Sequence, residues 1–218
     1  MKQKTIFVAS AVFLLLAFVT GVLFYTSQQK KAADQIAETN RAALIRMHSP
    51  TLGNANAPVV IVEFLDPACE TCRAFYPMVK KMMNANPDKI RLVLRYAPFH
   101  DGSDKVVALL EAARKQGKFW EALEVLLENQ AGWTQHHTAN VEQAWGYLAG
   151  IGLNMEQMAF DMTSPAIANV IAQDLADAKT LNVSKTPDFF VNGKPLPSFG
   201  SEQLKELVDQ AIADNSAR

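Results

Sequence analysis

Cysteine and net charge are both scarce in this 218-residue chain. It contains only two cysteines, and its 22 acidic residues nearly balance 21 basic ones, giving a formal net charge of -1. Without an excess of one sign, nothing favours a nucleic-acid partner or an anionic lipid surface. No internal repeat or low-complexity tract is evident. With 49% hydrophobic residues, the chain has enough apolar material for one buried domain and an appendage.

Charged residues are absent from residues 5–25, which follow Lys2 and Lys4 and are mostly apolar. About 20 apolar residues span a bilayer as a helix, whereas a cleavable signal peptide has an apolar region of about 7 to 15. No clear small-x-small cleavage site follows. We therefore predict that residues 1–26 are a signal anchor, which places a single-pass protein on the periplasmic face of a bacterial inner membrane. The alternatives are a cleaved signal peptide, which leaves a soluble periplasmic protein, and a buried helix.

A polar stretch separates this segment from the rest of the chain. Residues 27–47 favour helix but have few apolar positions, too few for the three or four heptads that indicate a coiled coil. Pro50 and Gly53 then mark a boundary. We predict a solvated stalk or linker over residues 27–53, with assembly into a homo-oligomer through the stalk as the alternative, and a folded domain over 54–215.

The start of that domain has a β-α-β pattern. Residues 59–65 and 90–96 are nearly continuous apolar, β-branched runs, as in strands buried on both faces of a sheet. Between them, residues 73–84 have apolar positions at helical spacing, with Pro77 as a kink. The two strands are predicted to be parallel, with a right-handed crossover.

Turn signals divide the remainder. Residues 103–181 contain segments of helical length, which we interpret as four or five helices. Asn192-Gly193 lies between two short β-like runs and is a strong hairpin signal. A final amphipathic helix is predicted to begin at Ser201.

The two cysteines, Cys69 and Cys72, lie where the first strand gives way to the first helix. A disulfide closing so short a loop contributes little to stability, so exchange chemistry explains the pair better than a structural role. Unpaired N–H groups at a helix start stabilise a thiolate. We predict Cys69 as the nucleophile and Cys72, one helical turn later, as the residue that resolves the mixed disulfide.

These motifs together resemble the thioredoxin superfamily and, within it, the DsbA-like exported oxidoreductases. The resemblance covers about residues 54–213 and includes the strand before the cysteines, the CxxC pair, Pro77 and Thr186-Pro187. It implies a thioredoxin-like α/β fold, a central mixed sheet flanked by helices, with residues 103–181 as an inserted helical subdomain. It further implies that Pro187 is cis and faces the cysteines, and that Thr186 offers backbone contacts to an extended substrate peptide.

The residues between the cysteines depart from the family pattern. Glu70 and Thr71 stand where many oxidants of the family have Pro-His. An acidic neighbour opposes a thiolate, and the loss of histidine removes a cation that would favour it. Thr186 before the proline is, by resemblance, commoner in isomerases and reductases. These residues predict a milder exchanger than the strongest oxidants and leave oxidase, isomerase and reductase open.

Several other residue types have competing interpretations. Glu63 in the first strand is either a surface carboxylate or a buried acid that assists proton transfer to Cys72. His100 and His136-His137 are interpreted as surface residues, because no cysteine lies near them in sequence to complete a metal site. The methionines are interpreted as packing residues; they include Met78, Met82, Met83, Met155, Met158 and Met162. No metal or cofactor is implied.

Two hypotheses of different classes follow. The first is a thiol-disulfide oxidoreductase that forms, isomerises or reduces disulfides in cysteine-containing exported proteins and exchanges electrons with a membrane redox partner. The second is a non-catalytic protein that binds copper or a client through Cys69 and Cys72.

Overall fold

The structure, a computed structural model, describes residues 2–216 of the chain and the side chains of residues 13–36, 38 and 40–216. The helices are α1 Lys2–Leu44, α2 Glu70–Ala85, α3 Ser103–Lys115, α4 Phe119–Glu128, α5 Gln130–Trp133, α6 Val141–Leu148, α7 Met155–Asp161, α8 Pro165–Thr180 and α9 Ser201–Ser216. The strands are β1 Thr51–Gly53, β2 Val59–Leu65, β3 Ile90–Tyr96, β4 Thr134–Gln135, β5 Thr138–Ala139, β6 Asp188–Val191 and β7 Lys194–Pro195.

A five-stranded mixed sheet in the order β1-β3-β2-β6-β7 forms the centre of the domain. Strands β2 and β3 are parallel, and β1, β6 and β7 add antiparallel pairings. The sequence prediction of β2 and β3 is therefore confirmed. Their apolar side chains are buried because other elements pack on both faces of the sheet. Strand β2 is central, so the cysteines at its carboxyl end lie at the middle of the sheet edge.

Helices α3 to α8 lie between the β-α-β half and the terminal hairpin, as predicted for the inserted subdomain. There are six of them among the described residues, if the four-residue α5 is counted, against a prediction of four or five. Asn154 and Ser164 cap α7 and α8 by accepting hydrogen bonds from backbone N–H groups. In the terminal hairpin, Asn192 and Gly193 have the positive φ values that its turn requires.

The predicted linker over residues 27–53 is more structured than the sequence indicated. Helix α1 continues to Leu44, whose side chain is buried against Val62 and Phe64. Residues 51–53 form the edge strand β1, paired with β3. Packing thus begins near residue 43, about ten residues before the predicted domain start. These contacts could not be predicted from the apolar pattern of the sequence, because ion pairs rather than apolar residues hold much of this stretch.

The amino-terminal part of α1 carries the segment predicted to be an anchor. Its described side chains include exposed apolar residues from Phe13 to Tyr25. Residues 5–12 of that segment lie outside the described side chains. Among the residues searched, no helix is apolar over enough of its length to cross a bilayer.

Candidate active site

The cysteine pair lies where β2 ends and α2 begins. Cys69 is the N-cap residue of α2, with extended backbone angles, and Cys72 lies in the first turn with a fully buried side chain. Both cysteines are free thiols. The first N–H groups of a helix have no partner within the helix, so they point towards the sulfur of an N-cap cysteine. The local sequence thus places one sulfur at the helix terminus and the other inside.

Asp66 fixes the turn that leads into the cysteines. Its buried carboxylate accepts hydrogen bonds from the backbone N–H of Ala68 at 2.9 Å and from the hydroxyl of Ser103. The other carboxylate oxygen accepts from the backbone N–H of Phe99 at 2.7 Å and is 2.6 Å from His100 Nδ1. One side chain therefore joins the active-site turn to the loop after β3 and to α3.

Gln130 supports the same turn from the inserted subdomain. Its buried side-chain amide donates to the carbonyl oxygens of Pro67 at 2.8 Å and Cys69 at 3.0 Å. Neither Asp66 nor Gln130 was predicted from the sequence to support the active site. Asp66 could have been noted as a buried acid three residues before Cys69, but nothing in the sequence around Gln130 indicates its contact.

The loop before β6 faces the cysteines from the opposite side. The Thr186–Pro187 peptide bond is cis. In its thiol form, Cys69 donates a hydrogen bond from Sγ to the carbonyl oxygen of Thr186 at 3.2 Å. Residues separated by 117 positions in sequence are thereby brought together.

The environments of the two sulfurs differ. A hydrogen bond from the Cys72 side chain is the largest cause that lowers the pKa of Cys69, and desolvation opposes it. Further hydrogen bonds, from the Thr186 side chain and from the backbone of Cys72 and Thr71, bring the pKa to about 5. Burial raises the pKa of Cys72 well above its ordinary value, and the neighbouring Cys69 and Glu63 raise it further. At neutral pH this arrangement favours a thiolate on Cys69 and a thiol on Cys72.

Glu63 is a buried acid rather than a surface carboxylate. It lies in central strand β2, between Leu94 and Phe189 on the neighbouring strands. Its side chain is inaccessible to solvent, and neither carboxylate oxygen has a hydrogen-bond partner among the described residues. Burial, with the charge of Cys69 as a second cause, raises the pKa of Glu63 to about 8. A buried carboxyl group thus lies close enough to Cys72 for its charge to raise the pKa of that thiol.

Glu70 and Thr71 both lie in the first turn of α2 and are exposed. The Glu70 carboxylate is 3.5 Å from His137 Nδ1, and the His137 ring is stacked on that of His100. The histidines considered above, His100, His136 and His137, lie at or near the surface. Two of them contact residues of the turn that carries the cysteines, His100 at Asp66 and His137 at Glu70, which their sequence positions did not indicate. Among the described residues, no group of three or more His, Cys, Asp or Glu side chains has the arrangement of a metal site.

Comparison with known proteins places this geometry in a family. The sequence profile of the family described as Thioredoxin matches residues 46–210. A solved thioredoxin-like oxidoreductase from Silicibacter pomeroyi is 33% identical, with a TM-score of 0.69 over 79% of this chain and 98% of that one. BdbD from Bacillus subtilis shares the fold, with a TM-score of 0.67 and 23% identity over 76% of this chain and 93% of that one.

Two kinds of curated relatives are similar to the chain. Disulfide bond formation protein D of Bacillus subtilis is 25% identical over 75% of this chain and 77% of its own length. A protein named Na(+)/H(+) antiporter NhaA, from Herminiimonas arsenicoxydans, is 31% identical over 66% of this chain. The chain spans only 22% of that antiporter's length. The profile match over most of the domain, together with the fold shared with the thioredoxin-like oxidoreductase of Silicibacter pomeroyi, shows that the chain belongs to the thioredoxin superfamily.

Proposed function

We propose that this protein catalyses thiol-disulfide exchange in exported, cysteine-containing proteins through Cys69 and Cys72. The observation that carries the proposal is the difference between the two sulfurs. Cys69 caps a helix, contacts the loop at Thr186 and has a pKa of about 5, whereas Cys72 is buried with a raised pKa. Such a pair supplies a nucleophile and leaving group on one sulfur and a resolving thiol on the other.

In the oxidising direction, a substrate thiolate attacks Sγ of Cys69 in the Cys69–Cys72 disulfide. A bond forms between the substrate sulfur and Cys69, and the bond between the two cysteines breaks with its electron pair on Cys72, which takes up a proton. A second substrate thiolate then attacks the substrate sulfur of the mixed disulfide and expels Cys69 as a thiolate. Two electrons pass from the substrate dithiol to the protein disulfide. The reducing direction is the reverse.

Thr186 and Pro187 are proposed to bind the substrate peptide in an extended conformation next to the mixed disulfide. The Thr186 carbonyl oxygen lies at hydrogen-bond distance from Cys69 Sγ, so a peptide joined to that sulfur passes along this loop. Glu70 and Thr71 are proposed to tune the stability of the Cys69 thiolate. Their effects oppose each other, since a carboxylate disfavours the thiolate and the Thr71 N–H favours it.

Activity assays test the exchange reaction directly. The wild-type protein is expected to accelerate insulin reduction by dithiothreitol and the refolding of scrambled ribonuclease above the rate in buffer alone. A titration in glutathione buffers measures the reduction potential, which lies near about -120 mV for strong oxidants and near about -270 mV for thioredoxin-like reductants. Absence of catalysis in both assays, together with stoichiometric Cu(I) binding, would favour the non-catalytic alternative.

Glu63 is proposed to accept and return the proton of Cys72 during resolution, and its burial makes a prediction for pH dependence. An acid whose pKa is raised from 4.5 unfolded to about 8 folded binds more protons in the folded state between those values. The free energy of unfolding therefore falls as pH rises through that window. Glutamine does not titrate, so in Glu63→Gln the free energy of unfolding should not fall in this way as pH rises. The stability of the variant minus that of wild type is therefore expected to be about 3 kcal/mol larger at pH 8 than at pH 5.

Urea unfolding of both reduced proteins at the two pH values measures this difference. Single-turnover kinetics should show slower release from the mixed disulfide in Glu63→Gln, because Cys72 has lost its proton acceptor. Stability differences that do not change with pH would contradict a titrating Glu63.

The cellular location is a proposal based on the family and on the amino-terminal segment. We infer that residues 5–25 hold the domain on the periplasmic face of the inner membrane, where it meets exported substrates and a membrane redox partner. Exposed apolar side chains on the described part of α1 support this inference. Amino-terminal sequencing of the mature protein tests it, since a chain beginning after Tyr25 would show cleavage instead. Self-association through residues 27–44 is tested by the mass in solution.

A further inference from the structure

A two-residue turn of the inserted subdomain reaches the active site. Strands β4 and β5 pair with Thr134 opposite Ala139, so His136 and His137 form the turn between them. Both have positive φ values, 49° and 63°. This turn type favours asparagine and glycine, and histidine is also among the residues enriched at positive φ, so the backbone accepts histidine at both positions.

Neighbouring backbone holds the turn in place. The backbone N–H of Ala139 donates to the carbonyl oxygen of Asp101 at 2.8 Å, which joins the hairpin to the loop that carries His100. Gly102 allows this close approach: a Cβ atom there would lie 2.9 Å from the Ala139 carbonyl oxygen. The position of His137 beside α2 is therefore fixed by the fold.

His137 contacts Glu70, one of the two residues between the cysteines. Its Nδ1 is 3.5 Å from a carboxylate oxygen of Glu70, with the two side chains 69% and 52% exposed. On its other side the ring stacks on His100, with centroids 5.3 Å apart and planes at 23°. His100 is held in turn by the buried carboxylate of Asp66 at 2.6 Å.

We propose that His137 is a positioning residue for the exchange reaction, which pairs with Glu70 and, when protonated, offsets the effect of that carboxylate on the Cys69 thiolate. This inference rests on the proposed function. The charged groups around His137 are Glu70 on α2, His100 and Asp66 behind it, His136 beside it in the turn and Asp101 at the base of the hairpin. An ion pair between His137 and Glu70 needs a protonated imidazole, so the pairing strengthens as pH falls.

The consequence concerns the equilibrium between disulfide and dithiol. Reduction of the Cys69–Cys72 disulfide by two glutathione thiols forms one glutathione disulfide, a thiolate on Cys69 and a thiol on Cys72, and releases the second proton to solvent. A cation that offsets Glu70 stabilises the thiolate and hence the reduced form. Protonated His137 therefore makes the protein a stronger oxidant at pH 6 than it would be with an uncharged residue at this position. Because both side chains are more than half exposed, salt screens the effect.

The experiment measures the glutathione equilibrium constant of the full chain at pH 6 and pH 8. His137→Asn keeps a residue that tolerates the left-handed turn but removes the imidazole. We expect its equilibrium constant to match wild type at pH 8 and to favour the disulfide by about threefold at pH 6, equivalent to about 14 mV. His136→Asn is the matched control in the same turn and should match wild type at both pH values.

Two further measurements separate this effect from a structural one. In 1 M NaCl the threefold difference should disappear, and in a Glu70→Gln background the effect of His137→Asn should be smaller, since the imidazole has lost the carboxylate that pairs with it beside the active-site turn. Equal pH profiles of wild type and His137→Asn would overturn the inference and leave the proposed exchange activity standing. The reverse result, a shifted equilibrium in a protein without catalysis, would support the inference and contradict the proposed function.

Discussion

Replacing Cys69 with serine is expected to lower the rate of disulfide exchange to that of the buffer, a loss of more than about three orders of magnitude. With a pKa of about 5, the Cys69 sulfur is almost entirely thiolate at neutral pH, whereas a serine hydroxyl stays protonated and cannot form a disulfide. Cys72 does not replace it, because its sulfur is fully buried and its raised pKa keeps it a thiol. Insulin reduction and refolding of scrambled ribonuclease measure the loss.

The Cys72→Ser variant is the matched comparison, since it removes the same atom one helical turn later. Cys69 can still attack a substrate disulfide in this variant, but no thiol resolves the mixed disulfide, which should accumulate as a covalent adduct visible by non-reducing electrophoresis. Both variants should fold, because serine is nearly isosteric with cysteine; the thermal unfolding of reduced proteins checks this. An active Cys69→Ser protein, or an adduct that forms through Cys72, would reverse the assignment of the two sulfurs.

Strongly patterned segments of the domain were predictable from sequence. Strands β2 and β3 are apolar on both faces because both faces of the sheet are covered. This pattern can be recognised in the sequence even when the covering elements are unknown. The same holds for the turn at Asn192-Gly193, since local backbone geometry selects these residue types. The location of Cys69 and Cys72 in the fold, at the end of β2 and the start of α2, could be predicted from the local change from strand to helix pattern alone.

Contacts across the fold were not predictable. Gln130 and His137 lie 61 and 67 positions beyond Cys69 and Glu70, the residues they contact, and neither has a local pattern that points to its partner. The packing of helices in the inserted subdomain decides where these side chains lie. The start of the domain was missed for a related reason, since Arg46 and His48 look like linker residues until their acidic partners on α8 are known.

Those partners belong to a buried ionic cluster centred on Arg95. Its guanidinium is inaccessible to solvent and donates to Asp174 at 2.7 Å, to Asp177 at 2.6 Å and to the carbonyl oxygen of Ala43 at the end of α1. Asp174 also accepts the backbone N–H of Tyr96 at 2.8 Å. One side chain on β3 therefore joins α8 of the inserted subdomain and the end of α1 to the central sheet.

Replacing Arg95 with methionine is expected to lower the free energy of unfolding by about 3 to 5 kcal/mol, because it removes the buried cation that the carboxylates of Asp174 and Asp177 share. Arg91→Met is the control: it makes the same change four residues earlier on β3, at a partly exposed side chain that donates to the Ala55 carbonyl oxygen at 3.2 Å. It should cost less than about 1 kcal/mol. Urea unfolding at pH 7 measures both.

The pH dependence of this cluster separates a loss of ion pairing from a loss of packing. Against desolvation, the hydrogen bonds from Arg46 and Arg95 lower the pKa of Asp177 from 3.8 to about 2. A lowered acid contributes stability that is present above its unfolded pKa and is lost as pH falls through the folded value. The wild type should therefore lose about 2 kcal/mol of this contribution between pH 4 and pH 2. In Arg95→Met the pKa of Asp177 rises, so ionisation of Asp177 stabilises this variant less, and less of that stabilisation is lost between pH 4 and pH 2. The difference in free energy of unfolding between wild type and Arg95→Met should therefore narrow on acidification. A gap that is constant from pH 7 to pH 2 would instead assign the cost to packing around the Arg95 side chain.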